Sequence, residues 1–384
     1  MQDTSVYVHF PYCLKKCPYC DFNSYGTARE AVPHGAYADA VLRELDARSD
    51  ALRGRKLVSI FFGGGTPSLW EPRELGRVLA GIRAAFPQAE HDLEITVECN
   101  PTSLDRARAA SLRKEGVNRI SIGVQSLDDD RLGFLGRLHD SSGALRALRE
   151  ALLEMERVSA DLMFGMPKQR ASDFTAELER ILETGVRHVS AYALTIEPGT
   201  QFGELHKKGR LPLAPEDDYA ETFLAARACF ASHGLSHYEI SNYAHPGQES
   251  RHNQHYWRGG DYLGLGAGAV GCFSSENGSA RRWRDEPLPA RYIESSHELE
   301  HVETWHEVLA PEDRIREALM LGLRTHEGVD MEAVRRRTGL DPEAGREDAI
   351  ERRCMRGELE RDGTRMRVPQ AHWLALDAIV TDLF

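Results

Sequence analysis

The sequence predicts an α/β protein: a partial barrel of six β/α units, followed by a small, helical, winged-helix-like C-terminal domain. Three observations predict it. Six short apolar runs alternate with helical patterns up to about residue 195. Polar or glycine-rich motifs stand at the same ends of successive runs. From Pro311 the composition turns helical and arginine-rich. A chain of 384 residues has room for a large core and more than one domain.

The runs are SVYVHF (5–10), LVSIFF (57–62), LEITVE (93–98), NRISIGV (118–124), VSADLMF (158–164) and RHVSAYAL (187–194). Each reads as apolar on both faces, as strands do in a parallel sheet covered by helices. Helical periodicity fills the gaps at 72–86, 103–116 and 144–157. Such alternation implies right-handed crossovers, and leaves open a partial barrel or a doubly wound sheet. A helix is expected at 217–232 and a strand at 237–241, then an irregular glycine-rich, aromatic region. DEPLP (285–289) reads as a linker. Beyond it, PEDRIREALMLGLR predicts a helix with proline near its start, and MEAVRRRTG a helix ending at Gly339. ELERDGTRMRV predicts a ribbon turning at Asp362–Gly363.

Composition narrows the function. Hydrophobic residues make up 41% and charged residues 28%, with a net charge of -12. A polyanion-binding surface needs a basic footprint, so no nucleic-acid partner is expected. Residues 311–384 hold 13 Arg against 16 Asp plus Glu, which argues the same for the C-terminal domain. No apolar run approaches the length of a transmembrane segment. The start, MQDTSVYVHF, lacks the pattern of a signal peptide. The expected location is the cytoplasm. Seven cysteines, an odd number, argue against a disulfide scaffold there. Cys99, Cys229, Cys272 and Cys354 are scattered and read as small buried hydrophobes.

The other three, Cys13, Cys17 and Cys20, lie within HFPYCLKKCPYCDFN, directly after the first strand. Structural zinc wants four ligands, and no second cysteine pair is present; His9 is on the strand. Three thiolates suit a 4Fe-4S cluster held by three corners, its fourth iron open to another ligand. Lys15 and Lys16, inside the loop, read as solvated charges. Further motifs sit at strand ends: FFGGGTPS (61–68) with Gly64, Gly65 and Thr66, VECNP with Glu98, SIGVQS with Gln125, LGRLH with Arg137 and ADLMFGMP with Asp161. The glycine run lacks the Gly-Lys-Ser/Thr of a P-loop. Alone, each motif is weak. Together they fall where a parallel barrel builds one site, which selects the barrel over the doubly wound sheet. GAGAVG (266–271) matches a dinucleotide fingerprint, but turn-like CFSSENG follows where a helix is required.

C-x3-C-x2-C with an aromatic before the last cysteine resembles the radical S-adenosylmethionine (SAM) superfamily. The resemblance implies that the open iron chelates SAM and that the reduced cluster can cleave it to a 5'-deoxyadenosyl radical. Longer blocks, YVHFPYCLKKCPYCDFNS, IFFGGGTPSL, VNRISIGVQS, LGRLH, DLMFGMP, LTIEPGT and HNQHYWRGGDYLGLGAGA, resemble the oxygen-independent coproporphyrinogen III oxidase group. Within it they are most similar to the HemW-type heme chaperones. The resemblance implies a radical SAM barrel with Cys13, Cys17 and Cys20 as 4Fe-4S ligands. It implies Tyr7, Gly64 and Glu98 for the cluster-bound SAM. Tyr19, Gly65, Thr66, Gln125, Arg137 and Asp161 take positions that bind a second SAM in the oxidase.

Two departures separate the chain from the oxidase. Phe22 stands where the oxidase has a fourth cysteine, and the first strand starts at about residue 5, without the oxidase's long N-terminal extension. The HNxxYW element, with His252, His255, Tyr256 and Trp257, points to heme contact. Imidazole is a common axial ligand. Related proteins often carry histidine where this chain has Val270. The implied organisation is a radical SAM barrel over 1–240, a heme-associated irregular segment and linker over 241–305, and a C-terminal domain over 306–384. The implied function is a heme chaperone that delivers heme to heme-accepting proteins. The alternatives are porphyrinogen decarboxylation in porphyrin biosynthesis, another radical SAM conversion of a tetrapyrrole, or a methyltransferase or heme-degrading relative.

Overall fold

The computed structural model describes residues 1–296 and 298–384. Six strands run parallel and in sequence order: β1 (Gln2–Phe10), β2 (Arg55–Gly64), β3 (Gln88–Cys99), β4 (Arg119–Gln125), β5 (Arg157–Phe164) and β6 (His188–Ala193). The main connecting helices are α1 (His34–Ala47), α2 (Pro72–Ala85), α3 (Arg106–Lys114), α4 (Ser141–Leu152) and α5 (Ala171–Leu182), with α6 (Glu216–Ser232) after β6. All six expected strands are present, and they form the partial barrel. The parallel register pairs Val6 with Ile60, Ile60 with Ile95 and Ile120 with Val158. Those side chains are fully or nearly fully buried, on the outer face of the sheet that the helices cover.

The stretch expected to be irregular is regular. Residues 241–305 supply β8 (Asn242–Ala244), which pairs with β7 (Ser236–Glu239), then α7 (Arg251–Trp257), β9 (Asp261–Leu265), β10 (Val270–Ser274), β11 (Ala280–Asp285) and α8 (Pro289–Ser295). With β12 (Glu303–Leu309), they extend the barrel into one twelve-stranded sheet, ordered β12-β11-β10-β9-β1-β2-β3-β4-β5-β6-β8-β7. β9 lies parallel to β1, with Val6 opposite Leu263. The glycines here serve close packing. A Cβ on Gly264 would lie 2.1 Å from the Val270 carbonyl oxygen, and one on Gly271 2.1 Å from the Trp283 ring. The DEPLP stretch is anchored rather than loose. Asp285 ends β11 and is fully buried in an ion cluster, where Arg48, which caps the C-terminus of α1, binds Glu44, Asp285 and Glu303, each at 2.8 Å.

The C-terminal region is α9 (Pro311–Gly322), α10 (Met331–Thr338) and α11 (Glu347–Met355) with a small sheet of β13 (Val329–Asp330), β14 (Glu360–Asp362) and β15 (Arg365–Arg367). Gly339 caps α10 in the left-handed conformation, φ 74°. The ribbon turns at Gly363–Thr364, one residue later than expected, because Asp362 still pairs with Arg365. One hydrophobic core runs continuously from the barrel to Leu383. No helix among the described residues is long and apolar enough to cross a membrane.

Candidate functional site

The C-terminal ends of the six strands enclose a cavity of about 730 Å³. Strand alternation builds its wall: Thr96 and Glu98 on β3, Arg119, Ser121 and Gly123 on β4, Asp161 and Met163 on β5, and His188, Ser190 and Tyr192 on β6 all face it. The runs that read as apolar on both faces are therefore apolar only outside.

Cys13, Cys17 and Cys20 line the cavity from the loop after β1. The loop is pinched at its base, where Tyr25 N donates to the Pro11 oxygen at 2.8 Å and Thr27 N to the Cys13 oxygen at 2.7 Å. The glycine loop after β2 is stitched to it, Gly65 N donating to Phe10 O at 2.7 Å and Thr66 N to Tyr12 O at 2.9 Å. A Cβ on Gly65 would lie 2.7 Å from Tyr12 O, so only glycine permits this approach. Each thiol has a polar neighbour. Thr66 Oγ1 donates to Cys13 Sγ at 3.4 Å, Arg137 Nη1 to Cys17 Sγ at 3.6 Å, and Ser24 Oγ lies 3.8 Å from Cys20 Sγ.

Burial pushes the Cys13 and Cys20 thiols above their ordinary pKa, and the neighbouring cysteines raise Cys13 further. Three thiolates gathered here need a cationic partner. Among the described residues, the trio of metal-ligating groups with all donor atoms within 4.8 Å of one another is Glu179, Cys229 and His233, elsewhere on α5, α6 and the residue following it.

Gly64 has φ 110°, and a Cβ there would lie 2.5 Å from the His9 ring. Its N–H donates to Glu98 Oε2 at 3.1 Å. Burial, then the charge of Asp161, pushes the Glu98 carboxyl up to about 8 against that hydrogen bond. His9 Nε2 lies 2.8 Å from the Asn23 carbonyl, which can only accept, so Nε2 carries the proton. Burial holds His9 neutral, its pKa lowered to about 4, and leaves Nδ1 to accept from the Tyr7 hydroxyl at 3.0 Å. Gln125 takes φ 69° beside an irregularity in the β4–β5 register. Such a φ is strained for a residue with a side chain and turns its amide toward the cavity. Arg137 Nη2 donates to Gly123 O at 2.7 Å. Asp161 accepts from Ser121 Oγ at 2.9 and 2.8 Å, and burial raises its carboxyl. Tyr19, also raised by burial, lies beside Arg137 and Cys17. Every residue expected from the strand-end and cysteine motifs therefore lines one cavity.

The HNxxYW element is α7, capped by Ser250, whose Oγ accepts from Asn253 N at 3.3 Å. His252 is buried, its backbone N–H donating to Glu94 Oε1 at 3.0 Å, its Nδ1 2.9 Å from Ser59 Oγ, and its ring stacked on Phe61 at 4.9 Å. Burial lowers its pKa to about 3, so the imidazole is neutral. A second cavity, about 640 Å³, opens beside the first, and Tyr7, Phe22, His252 and Tyr256 line both. Trp257 lines the first. His255 lines neither, since its Nε2 bonds the Asp261 oxygen at 2.8 Å and its ring packs on Gly260. Sequence reasoning missed Ser121, His188 and Ser190 inside the barrel, and the arginines of the second cavity. Period-two polarity within the strands was the available signal for the first three.

The description "Radical SAM superfamily" matches residues 7–227, and "HemN C-terminal domain" matches residues 309–374. The chain is similar to the heme chaperone HemW of Escherichia coli, 39% identical over 321 residues, covering 82% of this chain and 83% of that protein. It is also similar to the mitochondrial radical S-adenosyl methionine domain-containing protein 1 of Bos taurus, 39% identical, covering 85% and 74%. In fold it matches coproporphyrinogen III oxidase (HemN) from Escherichia coli, with a TM-score of 0.80 at 22% identity over 100% of this chain and 90% of that one. The cysteine loop, the strand-end cavity and these matches agree, and the chain belongs to the radical SAM superfamily and, within it, to the family of the HemW heme chaperones.

Proposed function

We propose that this protein is a heme chaperone, which binds heme on its radical SAM scaffold and passes it to heme-accepting proteins. The observation that carries the reading is the similarity to the heme chaperone HemW over four-fifths of both chains. Membership of the superfamily implies a 4Fe-4S cluster and SAM. Cys13, Cys17 and Cys20 would hold the cluster, and Tyr7, Gly64 and Glu98 the SAM bound to it. When bound, these groups supply one-electron chemistry at the SAM sulfonium. The chain's own contribution is binding and orientation. Thr66 and Arg137 donate to two of the thiol sulfurs, and Gly64 N fixes the Glu98 carboxylate. Tyr19, Gly65, Thr66, Gln125, Arg137 and Asp161 form the remaining wall, where a second SAM or another polar ligand would sit. His252 offers heme its Nε2, since Nδ1 is engaged by Ser59. Tyr256 supplies aromatic surface, Trp257 lines the cluster cavity, and His255 is held by the Asp261 backbone. The expected location is the cytoplasm, in keeping with seven unpaired cysteines.

The second reading is an enzyme: an oxygen-independent coproporphyrinogen III oxidase or another radical SAM tetrapyrrole enzyme. The complete set of SAM-facing side chains around the cavity favours it. Phe22, in the place of the oxidase's fourth cysteine, favours the chaperone. The test uses anaerobically purified, cluster-reconstituted protein. Heme is titrated into the wild type and His252→Ala while the Soret band is followed. In parallel, coproporphyrinogen III, SAM and a reductant are supplied, and protoporphyrinogen IX is sought. The chaperone reading expects stoichiometric heme uptake, weakened in the variant, and no decarboxylated product. Turnover of coproporphyrinogen would overturn it as the main function.

A further inference from the structure

The second cavity carries charge of one sign. Four arginines, Arg282, Arg284, Arg314 and Arg337, line it against two acids, Asp261 and Glu317, a surplus of two positive charges. Both acids are already paired, Glu317 with Arg282 at 2.5 Å and Asp261 with Arg55 at 2.7 Å. Among the described residues, Arg284, Arg314 and Arg337 have no carboxylate partner.

Two of these three are largely buried. Arg314 donates to the Gly278 and Ser279 oxygens, both at 3.0 Å, and to Ser274 Oγ at 2.6 Å. Arg337 Nη1 donates to Arg258 O at 3.0 Å and Gly259 O at 2.7 Å, while its Nε is buried with no partner. Arg314 and Arg337 also repel one another. A buried, under-bonded guanidinium is costly unless an anion meets it. Arg284 is exposed at the cavity's rim. Apolar side chains line the same cavity: Leu309 from β12 and Ala318, Met320 and Leu321 from α9, the helix that also carries Arg314. The volume, about 640 Å³, lies within the range of small-molecule sites.

Apolar surface beside arginines that lack carboxylate partners fits an apolar ligand that carries two carboxylates. We propose that the tetrapyrrole binds in this second cavity, its two propionates on Arg284, Arg314 and Arg337, while SAM occupies the cluster cavity next door. The proposal rests on the heme-chaperone reading and locates its ligand. Tyr7, Phe22, His252 and Tyr256 are then the partition between two sites filled at the same time. The phenylalanine that replaces a cysteine in the cluster loop becomes part of the heme wall, where it is 59% exposed without ligand.

The test titrates cluster-reconstituted, full-length protein with heme and with heme dimethyl ester, which lacks both negative charges, in the presence and absence of SAM. The wild type should bind heme at least tenfold more tightly than the ester, and saturating SAM should leave heme affinity unchanged. Arg284→Gln and Arg337→Gln should each weaken heme about tenfold and leave the ester alone. The unchanged ester affinity shows that the variant is folded. Heme affinity unchanged in both variants, or competition between heme and SAM, overturns the location and leaves the chaperone reading standing. No heme uptake by the wild type overturns that reading and the location with it.

Discussion

Glu98→Gln should flatten the pH dependence of the apoprotein's stability. Glu98 is buried at the end of β3, and Gly64 N is the hydrogen-bond donor to its carboxylate, at 3.1 Å. Desolvation, then Asp161, moves its carboxyl from 4.5 to about 8. An acid whose folded pKa lies above its unfolded value holds its proton more tightly when folded. Its stabilising effect is complete below about 4.5, declines as the pH rises, and is gone above about 8. Each tenfold in proton affinity is about 1.4 kcal/mol, so the rise corresponds to a loss on the order of 5 kcal/mol across that window. This is comparable to the whole stability of many domains. Glutamine keeps the shape and still accepts from Gly64, but has no proton to lose. The assay is guanidinium unfolding of the apoprotein at pH 5, 6.5 and 8. The wild type should lose several kcal/mol from pH 5 to pH 8, and the variant much less. Asp161, raised in the same direction by its own burial, remains in both proteins, so the difference between the two curves reports Glu98. Parallel curves would refute the reasoning, because they would mean that Glu98 is solvated or already ionised at pH 5.

Two further perturbations test the frame around the site. Arg48→Met leaves Glu44 and Asp285 buried without their cation and should cost about 3–5 kcal/mol in chemical denaturation, whereas replacing the group together with apolar residues should cost far less. Gly64→Ala places a Cβ 2.5 Å from the His9 ring at φ 110°, and should destabilise the apoprotein by about 2–4 kcal/mol, read as a lowered Tm by circular dichroism.

The barrel was legible because its outer face obeys a simple rule. Val6, Ile60, Ile95 and Ile120 are buried under helices, and the runs that contain them are short and apolar. The cysteine loop and the strand-end motifs were legible because each follows a strand directly. The polar interior was harder to read. Ser121, His188 and Ser190 alternate with apolar neighbours, but each stands in a run dominated by the outward face. The extension beyond residue 241 was misread because Gly264, Gly266, Gly268 and Gly271 look like loop punctuation. Gly264 and Gly271 are instead places where strands and a tryptophan pass too close for a Cβ. His255 shows the converse limit. A histidine beside a cavity-facing one carries no sign that its own nitrogen is spent on the backbone.

That extension ties the cysteine loop to the wall of the second cavity. β9 pairs with β1, the strand that leads directly into the cysteine loop. Asn23, in the same loop, donates to the Ala267 and Pro287 oxygens, each at 2.9 Å, and its own carbonyl holds His9. Gly268 lies so close that a Cβ would stand 2.4 Å from the Asn23 amide nitrogen. His9, Phe22, Asn23 and Gly268 all line the second cavity. Three thiols pulled onto one cluster would restrain the loop between Cys13 and Cys20, and through Asn23 that restraint reaches the wall of the neighbouring cavity. A cluster held by these thiols would contribute order to the wall of the second cavity whether or not SAM is turned over. The two cavities thus share a wall that the cysteine loop helps to build.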